Sequence, residues 1–129
     1  MRKRLICCVL LTVLLTTIGA NATATRWSYT CVCEPELKFT GTTAICSLVI
    51  QAISGSATIT ATLKLIRINA NGTETTLRTW PGLTGTGRLV FSDTYTVTRG
   101  LTYRLEVSAR VSTPQGSENI NTFVTARCP

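Results

Sequence analysis

From Leu101 to Ser112 apolar and polar residues alternate without a break. Leu101, Tyr103, Leu105, Val107, Ala109 and Val111 take one phase, and Thr102, Arg104, Glu106, Ser108, Arg110 and Ser112 the other. A period of two belongs to an extended strand, since a helix would need its apolar residues three or four apart. One face of this strand therefore meets a core and the other meets water. A single strand cannot bury its apolar face alone, so the rest of the chain has to supply partner strands.

The remainder reads that way. From Trp27 onward the chain is rich in Thr and β-branched residues and is punctuated by glycine, the composition of strands separated by turns. The patterning predicts seven strands: Ser28 to Phe39, Thr43 to Ile53, Thr58 to Asn69, Glu74 to Trp80, Arg88 to Thr96, Leu101 to Ser112 and Asn119 to Ala126. Between the third and fourth stands Asn71-Gly72. Both residues accept the positive φ of a two-residue type I′ turn, which folds Leu65-Ile66-Arg67-Ile68 back onto Thr75-Thr76-Leu77-Arg78. Ile45 to Ile50 is apolar on both phases, as expected of a strand covered on both sides. In the third strand Ile59, Ala61, Leu63 and Leu65 face inward, but Ile66 and Ile68 break the alternation, which points to a bulge or a second apolar patch.

Seven short strands in about 100 residues predict an all-β, two-sheet antiparallel sandwich, with a barrel as the alternative. The stretch Val97-Thr98-Arg99-Gly100-Leu101-Thr102-Tyr103 resembles the tyrosine corner of fibronectin type III and immunoglobulin-like domains, in which a tyrosine bonds back to the preceding loop. That resemblance favours the sandwich and implies that Tyr103 anchors the turn before its own strand. The sixth strand carries no cysteine, so the disulfide of antibody domains is excluded.

The N-terminus has the order of a secretory signal. Arg2, Lys3 and Arg4 precede an uncharged, largely apolar run from Leu5 to Ile18, followed by Ala20-Asn21-Ala22 and Ala22-Thr23-Ala24, each a small-residue cleavage pattern. The run is too short to span a bilayer. The expectation is cleavage after Ala22 or Ala24, with residues 1–24 removed and residues 25–129 forming one secreted domain. The raw net charge of +7 is then misleading, because loss of the three leading cations leaves ten basic residues against six acidic ones, a net of +4.

Cys31, Cys33, Cys46 and Cys128 remain in the mature chain. An even number in an exported small domain predicts two disulfides, with three connectivities open. All four fall on apolar phases. A Cys46 to Cys128 bond would tie the second strand to the C-terminus, whereas Cys31 and Cys33 share one face of one strand and are poorly placed to bond each other. Zinc is disfavoured, since a C-x-C pair with widely spaced single cysteines and no histidine is a poor ligand pattern.

A narrower likeness rests on Trp27-Ser28-Tyr29, the apolar second strand with Cys46, Leu63-x-Leu65 leading to Asn71-Gly72, Thr79-Trp80, Tyr95-x-Val97 and Gly100-Leu101-Thr102-Tyr103-Arg104. In their order and spacing these resemble a family of small exported proteins of unknown function from Gram-positive, gut-associated bacteria. The resemblance implies a secreted β-sandwich and carries over no catalytic residues. The Cys31-x-Cys33 pair departs from that pattern.

Without histidine, Ser-His-Asp, Cys-His and His-based metal chemistry are all excluded. Glu34, Glu36, Glu74, Asp93, Glu106 and Glu118 read as solvated charges rather than a glycosidase pair, and no S-x-x-K spacing is present. The glycine-rich Gly82-Leu83-Thr84-Gly85-Thr86-Gly87 lacks the lysine and helix of a phosphate loop. The expectation is a non-catalytic protein with no metal and no cofactor. One candidate ligand loop stands out, Trp80-Pro81-Gly82 with Gly85 and Gly87, although a tryptophan in a small sandwich more often closes the core. The scattered arginines suit a host or microbial surface protein or an anionic glycan, lack the clustering of a nucleic-acid binder, and give no stable membrane insertion. The leading expectation is therefore an extracellular binding or adhesion module. A small cationic toxin or antimicrobial and a structural subunit of a secreted assembly are the alternatives.

Overall fold

The computed structural model describes residues 27–129, so the expected signal peptide lies outside the described residues. The described part is all-β, with strands β1 (Thr30–Thr40), β2 (Thr43–Ala52), β3 (Thr58–Ile68), β4 (Glu74–Thr86), β5 (Arg88–Thr96), β6 (Thr102–Thr113) and β7 (Gly116–Arg127). Every pairing is antiparallel, in the order β1-β2-β5-β4-β3-β6-β7. Between β5 and β4 the only pairing is Thr86 with Arg88, across the corner at Gly87. The molecule is therefore two sheets, β1-β2-β5 and β4-β3-β6-β7, packed face to face as the patterning predicts. The fourth strand lies beside β3, unlike antibody constant domains, where it joins the sheet of the first, second and fifth strands.

The core fills the space between the sheets. Leu48 and Ile50 from one side meet Leu63, Leu65, Leu105, Val107 and Ile120 from the other, all buried. The alternation of β6 is realised as read: Tyr103, Leu105, Val107, Ala109 and Val111 point inward. On β2 the inward residues are fully buried, but Ile45, Ser47 and Val49 are only half-buried. Among the described residues no second layer covers them, and the flanking strands account for the apolar character of both phases.

Tyr103 forms the expected corner. Its hydroxyl accepts from the Thr98 backbone N–H at 2.9 Å and donates to the Thr98 carbonyl at 3.3 Å. The bulge expected in β3 is present as well, as a register shift against β4 between Leu65 and Ile66.

The β3–β4 turn differs from the two-residue type I′ form. Ile68 pairs with Glu74, and the Gly72 N–H bonds the Asn69 carbonyl at 2.9 Å while the Asn69 N–H bonds the Thr73 carbonyl at 2.8 Å. With Gly72 at φ +88°, this is a three-residue loop that ends in a left-handed glycine. Asn69 explains the longer loop, because its side chain accepts from Arg67 and donates to Thr73 and Thr75. A tighter turn would break that set.

The fourth strand is also longer than expected. It continues through Pro81 and Gly82 to Thr86, where the glycines had suggested an open loop. The reason is pairing: Leu83, Thr84, Gly85 and Thr86 face Ala61, Thr60, Ile59 and Thr58 of β3, with a register shift at Thr62 absorbing the proline.

Candidate functional site

The cysteines depart from expectation. All four are free thiols, so neither expected disulfide is formed. Strand register supplies the reason for two of them. Cys33 pairs with Ile50 and Leu37 with Cys46, which sets Cys33 and Cys46 four residues apart along the strands, about 13 Å and far beyond bonding reach. A register shift between Thr30 and Val32 leaves Thr30 and Cys33 buried and turns Cys31 out to solvent, so the shared apolar phase expected of all four cysteines fails at Cys31. The Cys128 thiol instead donates to the Gly41 carbonyl at 3.5 Å. Burial pushes the Cys33 thiol up to about 11, and burial together with the Asp93 charge does the same for Cys46. Neither forms an appreciable thiolate at neutral pH, so neither is a nucleophile.

The expected ligand loop is spent on architecture. Trp80 is 6% exposed, and its indole N–H donates to the Asp93 carboxylate at 2.8 Å. Its ring lies 5.9 Å from Phe91, and the Arg78 guanidinium sits 5.6 Å from its centroid. The contacts with Asp93 and Phe91 reach from β4 to β5 across the open side of the sandwich, where no ladder of hydrogen bonds joins the sheets. The indole bond, then the Thr94 N–H, hold the Asp93 carboxyl below the usual carboxylate range. Pro81, Gly82 and Gly85 belong to the strand, and Gly87 makes the corner into β5.

Four of the five remaining carboxylates are held by cations or by hydrogen-bond donors. Glu74 and Glu106 both accept from Arg104, at 2.6 and 2.8 Å. Glu36 meets Lys38 at 3.5 Å. Glu118 accepts from the Ser28 and Tyr29 backbone N–H groups and from the Thr30 hydroxyl, at 2.8, 2.9 and 2.7 Å. Among the described residues no three His, Cys, Asp or Glu side chains converge on a point that could hold a metal.

One concavity is built from residues that the packing does not require. On the outer face of the four-stranded sheet, cross-strand register aligns three rows: Lys64, Glu106 and Phe123; then Thr62, Ser108 and Asn121; then Thr60, Arg110 and Asn119. Outward residues come from the polar phase of each strand, so this face is wet. The middle row is short, and long side chains stand on either side of it. The result is a trough across the strands with two adjoining hollows of about 470 and 230 Å³, which share Thr62 and Ser108.

Phe123 is the anomaly in this surface. It is 62% exposed and stands on a phase otherwise held by Asn119, Asn121 and Thr125. The Arg104 guanidinium braces it, 5.7 Å from the ring centroid. Arg104 is itself held by Glu74 and Glu106, and in the next row it pairs with Ile66, which is buried outside the main core. The wall of the trough is thus fixed rather than free to swing. Sequence reasoning passed over this site, although one signal was there: Phe123 falls out of phase with Ile120, Val124 and Ala126.

No family model, no curated protein and no solved structure matches this chain. The trough is therefore read from its own chemistry.

Proposed function

We propose that this chain is an exported, non-catalytic binding module whose recognition surface is the outer face of the β4-β3-β6-β7 sheet. The observation that carries this reading is Phe123, a large apolar ring left 62% exposed on an otherwise polar strand face, at the rim of a hollow of about 470 Å³. An exposed ring gains nothing from burial in the folded monomer, whereas covering it with a partner removes apolar surface from water. Asn121, Ser108 and Thr62 beside it supply donors and acceptors that can orient a partner.

The test is capture of the purified domain on immobilised mucin and on bacterial cell-wall preparations. Wild type is compared with Phe123→Ser and with Val90→Ser, which removes an exposed apolar side chain from the other sheet. The expected result is retention by wild type and Val90→Ser and at least a tenfold loss for Phe123→Ser. Retention independent of Phe123, or no retention on either surface, overturns the reading.

A further inference from the structure

We infer that the trough binds an acidic glycan, lying across the strands with one sugar ring against Phe123 and its anionic groups directed to Lys64 and Arg110. The inference rests on the outer sheet face being the binding surface, and it names the ligand class.

The first ground is shape. The short Thr62, Ser108 and Asn121 row is walled on one side by Lys64, Glu106 and Phe123, and on the other by Arg110. The walls stand four residues apart along β6, about 13 Å between Cα positions. The trough is open to solvent on the outer face of the sheet, which suits a chain passing across it better than a small molecule that needs enclosure.

The second ground is the pairing of surfaces. A pyranose ring has an apolar C–H face and a rim of hydroxyls. Phe123 presents an apolar π face, with its far side already occupied by Arg104, and within the same hollow Asn121, Ser108 and Thr62 offer amide and hydroxyl groups. An aromatic platform beside short polar side chains meets both surfaces of a sugar at once.

The third ground is charge. Arg104 binds both Glu74 and Glu106, so this trio carries one net negative charge and offsets only part of the charge of Glu106, the one carboxylate in the trough. Lys64 and Arg110 make no ion pair with any described residue. One lines the larger hollow and the other the smaller. Two cations outside any ion pair stand at opposite walls, about 13 Å apart by strand register; against the single negative charge left on the Arg104 trio they leave the trough net positive, which favours a ligand with repeating negative charge over a neutral one. Carboxylate and sulfate share this chemistry, and the test separates them.

The experiment is affinity electrophoresis of the domain in gels containing hyaluronan, a polymer of carboxylated sugars, heparin, a sulfated one, or dextran, which is neutral. Expected is marked retardation in one or both acidic gels and none in dextran. Hyaluronan alone assigns a carboxylate and heparin alone a sulfate. Phe123→Ala and the double variant Lys64→Gln/Arg110→Gln should each weaken retardation at least tenfold. The variant Lys38→Gln/Arg88→Gln removes the same charge from the other sheet and should match wild type. Equal loss in both double variants would mean that net charge alone drives binding, and would overturn the inference. So would retardation in dextran, or none in any gel. If mucin or cell wall is still captured through Phe123 while both acidic glycans are ignored, this inference fails and the binding-module reading stands; if no ligand uses that face, both fail. All substituted residues are surface positions, and an unchanged urea midpoint for each variant verifies folding.

Discussion

Tyr103 and Glu118 show how single residues hold the ends of this sandwich. The Tyr103 ring is buried beside Phe39, 5.9 Å between centroids, while its hydroxyl closes the turn at Thr98. Tyr103→Phe keeps the packing and deletes those two bonds. Because Thr98 is exposed and its freed backbone groups can find water, the expected cost is about 1 to 1.5 kcal/mol, read as a lower urea midpoint with an unchanged slope. Glu118 works at the other end, tying Ser28, Tyr29 and Thr30 to β7. Burial raises its pKa, but the bonds from Thr30, Tyr29 and Ser28 together outweigh burial and leave it below the ordinary carboxylate value of 4.5. A lowered folded pKa means that the contribution is fully present above the unfolded value and is lost as pH falls through the folded one. Amide exchange at Ser28 and Tyr29 should therefore accelerate as the pH falls through the lowered Glu118 pKa, relative to the base-line trend, and Glu118→Gln should abolish that pH dependence. An exchange profile identical in wild type and Glu118→Gln would refute the latch.

At the scale of elements, glycines sort by what surrounds them rather than by where they stand in the chain. Gly82 and Gly87 both have positive φ, +69° and +72°. A Cβ on Gly82 would meet nothing, whereas one on Gly87 would fall 2.5 Å from the Gly55 carbonyl oxygen. That closeness follows from the corner itself, where the Gly87 N–H bonds the Ala57 carbonyl and the Gly87 carbonyl accepts from Ala52. Gly82→Ala should cost about 1 to 2 kcal/mol, the left-handed penalty alone. Gly87→Ala adds a backbone clash and should exceed it by at least about 1 kcal/mol, a difference that parallel thermal melts would resolve. The same comparison explains why a glycine-rich segment that reads as a mobile loop is ordered strand. Composition carries no information about a carbonyl thirty residues away. Strand β7 carries the complementary lesson, since the out-of-phase Phe123 was visible in sequence, but its alignment with Glu106 and Lys64 depends on the register of two other strands.

For the whole molecule the decisive property is that each sheet is completed by a pairing between distant segments, β2 with β5 and β3 with β6. Thr58 of β3 pairs with Ser112 of β6, and Thr43 of β2 with Thr96 of β5. The segments between them must close before these two pairings form, so folding should take milliseconds to seconds rather than microseconds, measured by stopped-flow tryptophan fluorescence after dilution from urea. Trp80 makes this observable sharp, because its environment spans β4 and β5 and forms only when the two sheets meet. A microsecond phase carrying the full fluorescence change would contradict it.

The division between what the sequence alone determined and what required the tertiary structure follows range. The all-β class, the inward phase of β6, the bulge after Leu65 and the Tyr103 corner were readable because each depends on neighbours within a few positions, through the period of two and the local turn. Four things were decided by residues far apart in the chain: the extension of β4 along β3 as far as Thr86, the bulge that turns Cys31 outward, the distance between Cys33 and Cys46, and the trough. Strand register sets all four, and register is a property of pairs of strands. The apolar phase of a strand says which face is buried; only its partner says what stands next to what on the face that is not.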